Sequence, residues 1–163
     1  MNKVILVGKG AAGKDHMRKI LSGRGFKYGI SYTTRPPRKG EIDGKDYFFL
    51  TDEMFKVKID QGYWYECIKF NGRYYGTSKT QFSTTCNLFI MTPQGISHID
   101  PVDRKECTII YLNVSEKIRR NRLAARKMPG DSIDRRMAAD AFLFLWSSSF
   151  FHTAYFIINI YWK

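Results

Sequence analysis

Apolar residues in this chain gather into short unbroken runs more than into long periodic stripes. Val4-Ile5-Leu6-Val7 is the first run, rich in β-branched residues and closed by Gly8 and Gly10. A run of this kind is the pattern of a strand buried on both faces, as in a parallel sheet. Beyond the glycines, residues 14–21 take helical spacing and stop near Gly23. Residues 26–32 form a second strand candidate, and the polar, proline-bearing stretch 33–44 is expected to be an exposed loop. Residues 47–50 read as a strand, with Thr51 placed to cap a helix ending near Gly62. Asn71-Gly72, between strand candidates 63–70 and 73–75, is a strong hairpin signal, because both residues tolerate the positive φ of a two-residue turn. Residues 88–91 and 108–112 are further buried strands, 115–127 and 132–146 are helices separated by Pro129-Gly130, and 155–160 is a last core strand.

Strand, glycine loop, helix, then strands alternating with helices predict an α/β fold: three layers, α/β/α, around a parallel central sheet. The block at residues 32–76 looks antiparallel and interrupts the alternation. It is expected to be an inserted lobe of a single domain spanning 1–163, with 1–31 and 77–163 as the core.

Charge narrows the partners. Twenty-seven Lys and Arg against fifteen Asp and Glu give a formal net charge of +12 in 163 residues. Such a balance suits nucleotides, nucleic acid or an acidic membrane, and on composition alone nucleic acid stands first. Cys67, Cys86 and Cys107 are odd in number and far apart, and no His lies at metal-ligand spacing from them. Neither a disulfide framework nor a structural zinc site is expected, and a reducing compartment is. The N-terminal apolar run is too short for a signal peptide. Residues 141–162 carry no Asp, Glu, Lys or Arg and are long enough to cross a bilayer. Ser147, Ser148, Ser149, His152, Thr153 and Asn159 interrupt the stretch, so a buried helix end followed by a strand is the better expectation.

The first chemistry lies in Gly8-Lys9-Gly10-Ala11-Ala12-Gly13-Lys14, which fits GxxxxGK between a strand and a helix. Glycines let the backbone curl so that successive N–H groups converge on phosphate oxygens at a helix N-terminus. Lys14 would then reach the β- and γ-phosphates as a point charge. Asp15 stands where Ser or Thr ordinarily offers a hydroxyl to Mg²⁺. A carboxylate is still a hard oxygen ligand, so Asp15 either binds the ion directly, holds it through water, or marks a weakened site. His16 is placed either to donate to a phosphate or to sit on the helix surface.

Two longer stretches carry a family resemblance. The segment Ile30-Ser31-Tyr32-Thr33-Thr34-Arg35-Pro36-Pro37-Arg38-Lys39-Gly40-Glu41-Ile42-Asp43-Gly44-Lys45-Asp46-Tyr47-Phe48-Phe49 closely resembles the GMP-binding signature of guanylate kinases. So does Asn71-Gly72-Arg73-Tyr74-Tyr75-Gly76-Thr77-Ser78, with Glu66 upstream. Both follow the phosphate loop in the family's order and spacing. The resemblance covers most of residues 3–82 well and the C-terminal half more loosely. It implies a P-loop NTPase fold whose inserted mixed-β lobe binds the nucleoside monophosphate, with a small helical lid at residues 120–137. It also implies that Arg35, Arg38, Tyr47 and Tyr75 hold the acceptor phosphate, a role that two guanidinium forks and two phenols suit. Glu66 would read guanine, which offers adjacent N1–H and N2–H donors to one ionised carboxylate. Ser31 and Thr77 would supply further base contacts. Arg122, Arg126 and Arg136 resemble the lid arginines that close over the phosphates, where such groups act by charge and position. Asn159, in Tyr155-Phe156-Ile157-Ile158-Asn159, resembles an asparagine near the adenine.

The chain also departs from the family pattern. Ile90 and Thr92 stand where two Asp are usual, one supporting the Mg²⁺ shell and one helping to read guanine. Thr92 can still hydrogen-bond the base. Residues 81–87 are shorter than the family's helix there, and the chain stops soon after Asn159. A reduced enzyme of the viral or phage kind has this form. The expectation is an ATP- and Mg²⁺-dependent kinase of GMP or dGMP in the cytoplasm, monomeric or homodimeric, with neither nucleic acid nor membrane as partner. A guanylate-kinase-like binding module without turnover and a broader deoxynucleoside monophosphate kinase remain the alternatives.

Overall fold

A computed structural model describes residues 2–126, 132–145 and 156–159. In chain order its elements are β1 (Lys3–Val7), α1 (Lys14–Gly23), β2 (Tyr32–Thr33), β3 (Phe48–Phe49), α2 (Asp52–Asp60), β4 (Trp64–Phe70) and β5 (Arg73–Ser78). A π-helical turn (Gln81–Thr85) follows, then β6 (Leu88–Ile90), α3 (Pro93–Ser97), α4 (Pro101–Lys105), β7 (Cys107–Asn113), α5 (Glu116–Ala125), α6 (Ile133–Leu145) and β8 (Phe156–Asn159).

The expected parallel sheet is present, in the order β6-β1-β7-β8, every pairing parallel. β1 lies inside it, and Ile5, Leu6, Leu88, Phe89, Ile109 and Leu112 are fully buried. Each such side chain contributes about 1.5–3 kcal/mol relative to exposure, which is why the runs are continuous rather than alternating. The interrupting block is a second, mixed sheet in the order β3-β2-β5-β4: β2 runs parallel to β3 and antiparallel to β5, and β4 and β5 form the hairpin. Asn71 and Gly72 take φ of 49° and 73°, as the two-residue turn requires. Phe55 of α2 stacks on Trp64 at 4.2 Å and Tyr74 at 5.1 Å between ring centres, closing this lobe around its own small core. The α2 helix starts where Thr51 Oγ1 accepts from Met54 N–H at 3.2 Å.

Several expectations shift. The stretch 26–32 is not one strand. Gly29 N–H donates to Leu88 O and the amides of Asn87 and Leu88 donate to Lys27 O, so this part lies along β6. Tyr32 and Thr33 then join the second sheet. One apolar run thus serves two sheets, leaving neither pairing long. The loop expected to be exposed from residue 33 begins with two buried threonines, Thr33 and Thr34, because Thr33 lies in β2 and Thr34 exchanges bonds with Tyr74. β5 runs on to Ser78, past the expected end at Tyr75. Two short helices went unforeseen although Thr92-Pro93 and Asp100-Pro101 are cap-then-proline signals, and both caps form. α6 ends at Leu145 and β8 begins at Phe156. Among the described residues no helix is long and apolar enough to cross a membrane. Residues 127–131, Tyr155 and the interrupting polar residues 147–149, 152 and 153 lie outside the described residues.

Gly29 marks the tightest crossing, since a Cβ there would fall 2.4 Å from Phe89 Cε1. Gly29→Ala is expected to destabilise the protein by about 1–3 kcal/mol through overpacking. Thermal unfolding followed by circular dichroism checks it; an unchanged midpoint would contradict the crossing.

Candidate active site

The first group grows out of β1. Gly8 cannot carry a side chain without crowding Ala12 Cβ and Leu112 O, both 3.1 Å from where its Cβ would lie. Ala11 at φ 61° and Gly13 at φ 94° turn the backbone into the left-handed region and curl the loop into α1. Lys14 folds back over that curl, its ammonium donating to Gly8 O at 2.6 Å and Lys9 O at 3.1 Å. Burial pushes its pKa below the ordinary lysine value; Asp140 and Asp15 pull it back up, and Arg126 and Arg119 push it further down. Arg126 is therefore close enough to act on Lys14 electrostatically, although its side chain is exposed at the C-cap of α5. Arg122 Nη1 donates to Ala11 O at 3.1 Å. His16 and Asp15 are exposed, and Asp15 meets Arg18 at 3.6 Å.

A second group is assembled in the second lobe. Arg35 lies over the Tyr47 ring at 5.2 Å, and Tyr47 meets Tyr75 edge-on at 6.5 Å. Burial, with Asp15 and Tyr75 nearby, pushes the Tyr47 phenol up to about 12. Arg38 is drawn below its ordinary value by burial, then by Arg35 and Arg136. The residue that organises this cluster was not singled out in the sequence. Glu41 accepts from both Arg35 nitrogens, Nη1 at 2.9 Å and Nη2 at 3.0 Å, and from Arg38 N–H at 2.7 Å. Burial pushes the Glu41 carboxyl up, yet the bonds from Arg35 and Arg38 outweigh it and hold the group below the usual range. An acid three residues after Arg38 in an otherwise basic loop was the available signal.

A third group lies beside α3. Glu66 is buried in β4 and accepts from Thr77 Oγ1 at 2.8 Å. Burial raises its pKa to about 7, with the Thr77 bond opposing the shift. Its second oxygen, Oε2, faces Gly95, where a Cβ would lie only 3.0 Å away. Thr92 stands on the other side of Gly95, its Oγ1 accepting from Gly95 N–H at 3.0 Å as the N-cap of α3. That bond uses one lone pair and leaves the hydroxyl hydrogen for another partner. Ser31 bonds to the Tyr28 hydroxyl, and its carbonyl accepts from Phe48 N–H. The Asn159 backbone pairs with Asn113, the residue at the end of β7.

The clusters face one another. Arg18 of α1 reaches Asp46 of the second lobe at 3.7 Å, Tyr47 lies in the field of Asp15, and Arg38 in that of Arg136. Among the described residues no group of three His, Cys, Asp or Glu side chains forms a metal cage. With Ile90 and Thr92 carrying no acid, Asp15 is the carboxylate offered at the start of α1. This donor set fits Mg²⁺ of the kind that arrives with a triphosphate and keeps phosphate and water as most of its ligands.

Comparison with known proteins places this geometry. The family profile described as guanylate kinase matches residues 1–126. The guanylate kinase of Syntrophus aciditrophicus is 44% identical over 77 residues, 46% of this chain and 37% of that protein. The chain thus aligns with well under half the length of that relative. The guanylate kinase of Sus scrofa is 33% identical over 145 residues, covering 83% of this chain and 73% of its own length. In three dimensions the crystal structure of guanylate kinase from Anaplasma phagocytophilum superposes with a TM-score of 0.70 over 97% of this chain and 77% of that one, at 23% identity. That likeness fixes the P-loop α/β fold. With the profile match over most of its length and the Sus scrofa alignment, the chain belongs to the guanylate kinase family.

Proposed function

We propose that this chain transfers the γ-phosphoryl group of ATP to GMP or dGMP. The mutual approach of the donor loop and the arginine–tyrosine cluster supports this reading most, through Arg18 on Asp46 and Arg38 beside Arg136. Phosphoryl transfer needs little covalent help from the protein, only alignment and positive charge on the transferring oxygens. Lys14 and the amides of residues 11, 13 and 14 cradle the triphosphate, Gly10 N–H being held by Asp140 and Ala12 N–H by Lys9 O. Arg35, Arg38, Tyr47 and Tyr75 fix the acceptor phosphate, whose own oxygen attacks. Arg122, Arg126 and Arg136 bring charge to the space between, and closure around it excludes water so that the acceptor outcompetes hydrolysis. Asp15 is the residue that would hold Mg²⁺ arriving with ATP, and the ion would supply neutralising charge to the phosphates. Glu66, with Thr77, Ser31 and Thr92, reads the guanine edge, and Asn159 lies toward the adenine. The three cysteines are free thiols, which suits the cytoplasm.

A second reading, a nucleotide-binding module without turnover, draws on the absence of acids at Ile90 and Thr92. A coupled ADP-release assay with ATP, Mg²⁺ and GMP, dGMP, AMP, dTMP or dCMP separates the two. ADP release dependent on GMP or dGMP is expected; binding of GMP with no release would select the module, and equal release with several bases the broader kinase. Lys14→Met is expected to lower kcat on the order of 10²–10³-fold, the scale for removing one preorganised charge from a transferring group.

Glu66 adds a pH dependence. Its pKa of about 7 lies above that of a free carboxyl, so the ionised form that accepts from guanine is lost as pH falls through 7. The kcat/KM for GMP is expected to fall roughly tenfold per pH unit below that point. The acceptor phosphate titrates near pH ~6 and adds a second step. Glu66→Gln should remove the step near 7 and leave the one near 6; a wild-type profile flat from pH 8 to 6.5 would exclude this role.

A further inference from the structure

A buried ion pair lies against the phosphate loop, and none of the roles above accounts for it. Arg119 of α5 and Asp140 of α6 meet at 2.9 Å with both side chains almost fully buried. Asp140 Oδ2 also accepts from Gly10 N–H at 2.9 Å, and Arg119 Nη1 approaches Gly10 O at 3.5 Å. Both polar groups of one loop residue are thus taken by the two halves of one ion pair. A Cβ on Gly10 would stand 3.1 Å from the Asp140 carboxylate, so the approach depends on glycine there. Next along the loop, Arg122 holds Ala11 O, and the Ala11 side chain packs with Leu123 and Met137.

Stability is a poor reason for such a pair. Burying two charges costs several kcal/mol per ion before their attraction repays it, and apolar replacement of a buried pair is often neutral or stabilising. Here the repayment is incomplete, since Arg119 Nε has no hydrogen-bond partner among the described residues. The two charges do cancel beside the loop, so the pair can orient the Gly10 backbone without adding net charge to an anion site. A phosphate cradle needs that orientation fixed before the anion arrives, because a ligand that must order the loop itself loses affinity.

We propose that Arg119 and Asp140 are positioning residues for the donor site: they hold the Gly10 backbone in one orientation and fasten the loop to α5 and α6. This rests on the reading of the loop as the ATP site. The field of Asp140 also opposes the lowering of the Lys14 pKa by burial.

The test uses two double variants of equal charge. In R119M/D140A the loop loses its partner; in R119M/D140N the amide oxygen still accepts from Gly10 N–H. Calorimetric titration with Mg-ATP is expected to show the dissociation constant rising about tenfold in R119M/D140A, equal to about 1.4 kcal/mol, and returning within about twofold of wild type in R119M/D140N. GMP affinity should be unchanged in both. Equal ATP affinity in all three proteins, or tighter binding in R119M/D140A, overturns the proposal. ATP that binds no form, wild type included, overturns it together with the kinase reading; ATP that binds all forms equally overturns this inference alone. Should R119M/D140A not fold, hydrogen exchange in nucleotide-free wild type decides the matter. The Gly10 amide is expected to be protected before any ligand is added, and exchange at the rate of an open loop overturns the proposal.

Discussion

Crowding many cations around a space the size of two phosphates is the constraint that the rest of this molecule answers. Lys14, Arg35, Arg38, Arg119, Arg122, Arg126 and Arg136 come from four separate segments, and in the absence of anions they repel one another. The protein answers with internal carboxylates. Glu41 grips Arg35 by both nitrogens and the Arg38 amide, and Asp140 neutralises Arg119 beside the loop. Asp15 and Asp46 both face Arg18 between the two lobes. Each carboxylate also fixes the direction in which its partner points. A site built this way is ordered before its ligand arrives, which is what the proposed phosphoryl transfer asks of it.

Legibility in the sequence followed the range of the interaction. β1, its glycine loop and α1 were readable because a strand buried on both faces, a GxxxxGK turn and a helix N-terminus all declare themselves within a few residues. The Asn71-Gly72 turn and the Thr51 cap are local for the same reason. Residues 26–32 misled because an apolar run does not say which sheet it joins, and here it joins two. Arg119 and Asp140 were invisible for the opposite reason. Alone, each is one more charge on a helix in a chain of net charge +12; only packing α5 against α6 turns both inward onto Gly10.

Glu66 shows how one residue can be legible in place but not in state. Its position beside an expected hairpin suggested a rim charge unless the family resemblance was admitted. Burial in β4 changes its chemistry, because a carboxyl with one hydrogen-bond partner and little water resists ionisation. A donor-rich guanine edge relieves that penalty, whereas an edge presenting acceptors repels the ionised group. Under the proposed role of Glu66, discrimination comes from the cost of a buried charge left unmatched, the strong form of specificity. Thr92 adds a hydroxyl in place of a second charge and so contributes less to it.

The departures from the family pattern are unevenly spread, and this bears on how the site divides. On the proposed acceptor side Arg35, Arg38, Tyr47, Tyr75 and Glu66 all match the family signature; Glu41 holds Arg35 and Arg38, and Arg35 lies over Tyr47, which meets Tyr75. On the proposed donor side Asp15 stands where a hydroxyl is usual and Ile90 where an acid is, and on the acceptor side Thr92 stands where the second acid is. Asp140 is no substitute for the missing acid, since Oδ2 is already committed to Gly10 and Arg119. Under the proposed roles, Asp15 and Ile90 bear on how the triphosphate and its ion are held, and among these departures Thr92 alone bears on the reading of the base. Loop geometry can be secured by more than one set of contacts, because amides recognise phosphate whatever holds them in place. A guanine edge is matched only by acceptors in the right positions. The proposed donor side therefore has more freedom to change than the acceptor side, where Thr92 is the single departure.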